Sequence, residues 1–121
     1  MRNFENLECW KSARELRIEI SNLVKKFPSE EKYRLVDQML RASRSVTNNI
    51  AEGYGRFYYQ ENIQFCRQSR GSLFELMDHL IIVLDEEIIN KETYKNLYEL
   101  IEKCIAVLNG YINFLIKQKS V

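Results

Sequence analysis

The sequence predicts an all-α fold: an antiparallel up-down-up-down four-helix bundle in one domain spanning residues 1–121. Three observations carry this expectation. Only four Gly and one Pro interrupt the chain, whereas a β-sandwich or barrel needs a turn signal about every 8–12 residues. Hydrophobic residues make up 45% and charged residues 29%, a globular balance rather than a disordered one. Apolar side chains recur at three- and four-residue steps through four segments, and short breaks between long helices make neighbours antiparallel.

The first helix is expected over 6–26. Trp10, Ala13, Leu16, Ile20, Leu23, Val24 and Phe27 share one face. Phe27-Pro28-Ser29 stops it, since proline donates no backbone N–H and biases the preceding residue away from helix.

The second is expected over 29–52. Ser29 offers a capping hydroxyl, and Glu30 and Glu31 suit the positive end of the helix dipole. Leu35, Val36, Met39, Ala42, Ser43, Val46 and Ile50 form its apolar face, with Arg41, Ser45, Asn48 and Glu52 as a polar stripe opposite. Gly53 and Gly55 are expected to end it, being free to take positive φ. The connector Tyr54-Gly55-Arg56-Phe57-Tyr58-Tyr59 packs four aromatics and an arginine into six residues. Capping of one bundle end is the expectation, and a stacking platform for bases or a partner chain is the alternative.

The third helix is expected over 60–87, with Phe65, Cys66, Ser69, Leu73, Leu76, Leu80, Val83 and Leu84 on its core face. A second row, Ile63, Arg67, Arg70, Phe74 and Ile81, mixes apolar groups with two arginines. Gly71 lies mid-helix, where glycine costs about 1 kcal/mol relative to alanine and suggests close approach of another backbone or tolerated weakness. The fourth is expected over 91–117, with Leu97, Leu100, Ile101, Cys104, Val107, Leu108, Tyr111, Ile112 and Leu115 inward. Tyr98, Ile105 and Ile116 widen that face, and Asn109-Gly110 suggests a kink or early end. The surplus apolar surface on the last two helices predicts self-association.

Composition removes several function classes. No Gly-rich fingerprint follows an apolar strand run, which argues against a dinucleotide-binding domain. Cys9, Cys66 and Cys104 are dispersed and read as reduced core thiols. The one histidine, His79, follows Glu75 by four residues and reads as a surface residue beside it, not as a general base or metal ligand. Asp85-Glu86-Glu87 reads as a solvated helix end rather than an acid–base pair. No cofactor, metal site or catalytic residue is expected. No apolar run reaches the roughly 18 residues of a membrane span and no signal-like stretch opens the sequence, so a cytoplasmic protein without a membrane partner is expected.

The net charge is +1, yet residues 1–72 hold 13 Lys and Arg against 9 acids, and all nine arginines lie at or before Arg70. Arginine offers a planar fork of donors for phosphate or carboxylate. The remaining polar constellation is Arg41, Arg44, Ser45, Asn48, Asn49 and Glu52 with Arg67, Arg70, Ser72 and Glu75. One-turn spacing lets Arg41, Ser45, Asn48 and Glu52 form a ladder. Arg70 and Glu75 could then pair with Glu52 and Arg41 of a neighbouring subunit, or the arginines could face outward toward phosphates.

At these residues the sequence resembles the bacterial 23S rRNA intervening-sequence protein family. Phe4-x-x-Leu7-x-x-Trp10-x-x-Ala13 is similar to its first-helix signature, and Phe27-Pro28 followed by Glu30 and Glu31 to its first break. Leu35-x-x-Gln38-x-x-Arg41-Ala42-x-x-Ser45, then Asn49-Ile50-Ala51-Glu52-Gly53-x-Gly55-Arg56, resembles its strongest motif. Phe65, then Arg70-Gly71-Ser72-x-x-Glu75, resembles its third-helix motif. Thr47 stands where many members carry Pro, and Ser69 where Ala is frequent. The resemblance implies a four-helix bundle assembling into a ring-like homopentamer, with no catalytic activity. It also implies an association with genes for large-subunit ribosomal RNA, or, in a related branch, with the reverse transcriptase of diversity-generating retroelements.

The resulting expectation is a non-enzymatic, homo-oligomeric protein that binds RNA or DNA through Arg41, Arg44, Arg56, Arg67 and Arg70. Ser45, Asn49, Glu52, Gly53, Gly71, Ser72 and Glu75 are the expected motif or subunit-contact residues. The alternative is a structural oligomeric adaptor that recruits a protein partner, such as a reverse transcriptase, without touching nucleic acid.

Overall fold

The computed structural model describes residues 3–119, without the side chains of Lys32 and Tyr33. It is all-helical among those residues. Four long helices, α1 (Glu8–Val24), α2 (Asp37–Tyr54), α3 (Tyr59–Asp85) and α4 (Lys91–Lys119), pack as a bundle, and a short 3₁₀ turn, Phe4–Asn6, precedes them. Each helix packs against its two neighbours, α1 on α2 and α4, α3 on α2 and α4.

The apolar faces read from the spacing meet in one core. Leu16 and Ile20 of α1, Met39, Val46 and Ile50 of α2, Leu73, Leu76 and Leu80 of α3, and Ile101, Leu108 and Leu115 of α4 are fully buried within it. Each buried leucine or isoleucine contributes about 1.5–3 kcal/mol of transfer free energy, so these faces hold the helices together.

Three boundaries differ from expectation. The second helix does not start at Ser29. A 3₁₀ turn, Ser29–Glu31, and a π-turn, Lys32–Val36, come first, and regular α-helix begins at Asp37. Glu31 N–H closes the turn on the Pro28 carbonyl at 3.0 Å, so proline starts a tight turn there rather than a full helix. The third helix ends at Asp85, not Glu87. Glu87 takes φ 60°, Ile88 N–H reaches the Val83 carbonyl at 2.9 Å and Glu87 N–H the Leu84 carbonyl at 3.0 Å, a Schellman stop built on a glutamate. The fourth helix runs unbroken through Asn109-Gly110 to Lys119. Its start is capped by Asn90, whose Oδ1 accepts the Thr93 N–H at 2.8 Å.

The glycines also trade places with expectation. Gly53 does not stop α2: it is buried inside the helix, and neither it nor Gly55 has positive φ. A Cβ at Gly53 would stand 2.7 Å from Asn62 Oδ1 and 2.9 Å from Phe65 Cβ. A Cβ at Gly71 would meet nothing within 4 Å, so of its two readings a tolerated weakness fits within the chain, and close approach occurs at Gly53 instead.

Candidate nucleic-acid interface

The expected site residues lie mainly on α2 and α3, which pair closely along their length. Ser69 Oγ donates to the Val46 carbonyl at 2.8 Å, an inter-helix bond that fixes the register. One turn along, Ser45 and Ser72 hydroxyls meet at 2.8 Å, and Asn49 Nδ2 donates to Ser45 Oγ at 3.0 Å and to the Ser45 carbonyl at 2.9 Å. Three of the expected motif residues, Ser45, Asn49 and Ser72, thus form one half-buried polar seam between the helices. Small side chains at 45, 69, 72 and 53 let the two backbones come together.

The ladder expected along α2 does not form. Arg41 Nε lies 3.1 Å from Asp37 Oδ2, Ser45 bonds Asn49 rather than Asn48, and Glu52 Oε1 accepts from Arg56 Nη2 at 3.3 Å. One-turn partners on the same helix compete for these groups and are always within reach. Arg70 Nη1 donates to Asn109 Oδ1 of α4 at 2.7 Å, and Glu75 Oε2 sits 3.3 Å from His79 Nε2. Arg41, Glu52, Arg70 and Glu75, the four that could pair across subunits, each have a partner within the chain.

His79 is buried rather than on the surface, and its Nδ1 has no hydrogen-bond partner among the described residues. The helical spacing placed it beside Glu75 correctly, but packing within the bundle buries the ring.

The five arginines do not form one patch. At 100° per residue, Arg70 and Arg67 occupy the flank of α3 that leans toward α4, as the Arg70–Asn109 bond requires. Arg41 and Arg44 lie on the outer side of α2, and Arg56 follows its end, with the guanidinium 4.9 Å above the Phe65 ring. Arg41, Arg44, Arg56 and Arg67 are exposed, and Arg70 is half-buried. Arg44 and Arg67 have no ion pair or hydrogen-bond partner for their guanidinium groups among the described residues.

The aromatic connector does not cap the bundle. Phe57 is 89% exposed, Tyr58 64% and Tyr59 47%. Together with Tyr54, Arg56, Tyr111, Phe114 and the 3₁₀ turn they rim a groove of about 540 Å³. Its floor carries a group that the spacing did not single out. Asn62 is buried beneath Gly53, donates from Nδ2 to the Tyr111 hydroxyl at 3.1 Å and accepts from Cys66 Sγ at 3.5 Å. A polar residue four positions before a core cysteine was its only sequence signal. Arg17 Nη1 donating to Thr47 Oγ1 at 2.9 Å, a bridge from α1 to α2, was likewise unforeseen.

The cysteines lie in the core as expected, all three buried and free. Burial pushes the Cys9 thiol up to about 12, and those of Cys66 and Cys104 up to about 11. Burial also raises the Tyr111 hydroxyl to about 12, so it remains protonated at neutral pH. No cluster of His, Cys, Asp and Glu suited to a metal ion occurs among the described residues, and no described helix is long and apolar enough to cross a membrane.

The family model described as 23S rRNA-intervening sequence protein matches residues 5–110. A crystal structure of a protein of unknown function from the S23 ribosomal protein family of Bacteroides thetaiotaomicron superposes with a TM-score of 0.81. The two are 22% identical, and the match covers 87% of this chain and 95% of that one. At that identity the likeness concerns the fold. No curated protein matches the chain.

Proposed function

Because this chain belongs to the 23S rRNA-intervening sequence protein family, we propose that it is a non-enzymatic, self-assembling protein that binds RNA through the outward arginines of α2 and α3. The observation that carries this reading is the pair Arg44 and Arg67, exposed guanidinium groups with no partner among the described residues. Arg41 and Arg56 add to them, since an exposed one-turn ion pair is worth only about 0.3–0.5 kcal/mol and exchanges readily for a phosphate. Arg70 would have to give up Asn109 to do the same.

Antiparallel, up-down-up-down packing and a ring-like homopentamer belong to this proposal. The contacts 45 with 72, 46 with 69 and 53 with 62 support opposite directions for α2 and α3. Exposed Phe74 and Ile81 on α3 support a subunit contact, and the open space at Gly71 lets another chain approach. In a ring, five copies of the same exposed arginines would act on one RNA, which strengthens a field that a single copy supplies weakly. A cytoplasmic setting follows from an RNA partner and reduced core thiols.

Fluorescence anisotropy with a labelled, structured RNA at two salt concentrations tests the reading. Binding should weaken with salt, with a log–log slope of about 0.7–0.9 per phosphate contact. The double variant Arg44→Glu/Arg67→Glu should bind at least tenfold more weakly at unchanged helicity. Absence of binding by the wild-type protein at low salt would overturn it and leave the protein-recruiting adaptor in its place.

A further inference from the structure

We propose that the groove at the connector end is a pocket for unpaired nucleobases of single-stranded RNA, which stack on Phe57 and Tyr58 over a floor set by Asn62 and Tyr111. The proposal rests on the RNA-binding reading above and gives it a second element, one that recognises bases rather than phosphates.

Rings come first. Phe57 and Tyr58 meet edge to face at 5.0 Å and lie mostly in solvent, beside Tyr59 and Phe114, which are about half exposed. Rings left this open contribute little to the fold, yet they are a surface on which bases of any identity can stack. The groove they line, about 540 Å³, falls within the roughly 300–1,000 Å³ of sites that enclose small organic groups.

Hydrogen-bonding groups come second. Asn6 brings an amide with both a donor and an acceptor to the groove, as the edge of an unpaired base requires, and Asn62 keeps a second N–H and a second lone pair beyond its bonds to Tyr111 and Cys66; the Asn3 amide is held by the Phe4 N–H and Glu5. The Tyr111 hydroxyl accepts from Asn62, which leaves its own hydrogen to donate.

Charge decides between occupants. Among the described residues, Arg56 is the one charged residue lining this groove. The groove between α1 and α4 mixes Glu15, Glu19 and Glu99 with Lys26 and Lys103, and one on α1 mixes Glu5 and Glu15 with Lys11 and Arg14; neither offers more than one aromatic ring. At the connector end Lys119 adds a second cation, donating to Gln60 Oε1 next to Tyr59. An apolar peptide segment would use the rings and could pair its backbone with the amides, but would gain nothing from a cationic rim. A nucleotide uses all three.

The test compares three labelled probes on the full-length protein by anisotropy: a ten-nucleotide single-stranded RNA, the same strand with abasic sites, and a duplex. The single strand should bind at least fivefold more tightly than its abasic counterpart, the effect of one stacked base. Phe57→Ala/Tyr58→Ala should abolish that difference while leaving duplex affinity and salt slope unchanged, and Phe57→Trp/Tyr58→Trp should restore it. Equal binding of intact and abasic strands by the wild-type protein would overturn the pocket, and needs no variant. So would an alanine variant that keeps the difference, or one that changes the mass of the assembly, which would make the rings a contact between copies. If only Arg44→Glu/Arg67→Glu lowers affinity, the pocket falls and the RNA-binding reading stands; if no probe binds at low salt, both fall.

Discussion

Gly53 and Asn62 bind three helices at one point. The glycine of α2 admits the asparagine of α3, and the asparagine holds the tyrosine of α4. Gly53→Ala would drive a Cβ to 2.7 Å from Asn62 Oδ1 and 3.1 Å from the Asn62 carbonyl oxygen. The backbones must separate, and overpacking of this kind costs about 1–3 kcal/mol. Urea denaturation should show that loss as a lower midpoint at unchanged slope. Tyr111→Phe keeps the ring but leaves Asn62 Nδ2 without the hydroxyl it donates to. A buried donor left unpaired costs about 1–3 kcal/mol, so this one-atom change should destabilise more than a surface substitution, within ±0.5 kcal/mol, does. Neither residue announces itself in the sequence. Gly53 reads as a helix stop because a glycine followed two residues later by another glycine has that look; only the partner helix reveals that it fills a contact.

Among the elements, the α3–α4 connection carries the clearest local misfit. Glu87 occupies a left-handed position, φ 60°, for which a side chain is unfavourable by about 1–2 kcal/mol. Glycine there removes that strain, partly offset by the greater freedom of the unfolded chain. Glu87→Gly should therefore raise stability by about 0.5–1 kcal/mol, seen as a rise in melting temperature with helicity unchanged. Asn90→Ala should act in the opposite sense by about 1 kcal/mol, since the Thr93 N–H loses its cap. The helices themselves were legible because each carries a 3.6-residue apolar rhythm long enough to outvote local breaks. Asn109-Gly110 shows the rule: a turn-type dipeptide stays helical because Leu108, Ile112 and Leu115 around it are buried. The Ser29–Val36 segment shows the reverse. Its first turns carry no sustained apolar face, so a proline and its neighbours decide the local geometry.

At the scale of the whole molecule, the buried thiols tie stability to alkaline pH. Cys9, Cys66 and Cys104 ionise near 9.0 when unfolded and near 11 to 12 when folded, so above pH 9 the unfolded chain releases protons that the folded chain retains. Stability should be level below about pH 9 and fall as pH rises toward 12. Denaturant midpoints measured from pH 7 to 11 check the sign, and replacing all three thiols by Ala or Val should flatten the curve. Assembly is the other molecular-scale property. Phe74→Glu should lower the sedimenting mass of the proposed oligomer without loss of helicity, because Phe74 is exposed and makes no part of the core.

Spacing alone determined that this chain is a four-helix bundle, which faces turn inward and that its cysteines are core residues, because helix periodicity and apolar burial are properties of each segment by itself. The tertiary structure decided which polar groups meet. Arg41, Glu52 and Glu75 were taken by partners one turn away, Arg70 by a residue 39 positions along the chain, and His79 was buried by tertiary packing. It also left Phe57 in water where packing was expected. Side-chain partners depend on how helices rotate and approach one another, and that is set by the fit of small residues such as Gly53 against a second chain segment, which no single segment encodes.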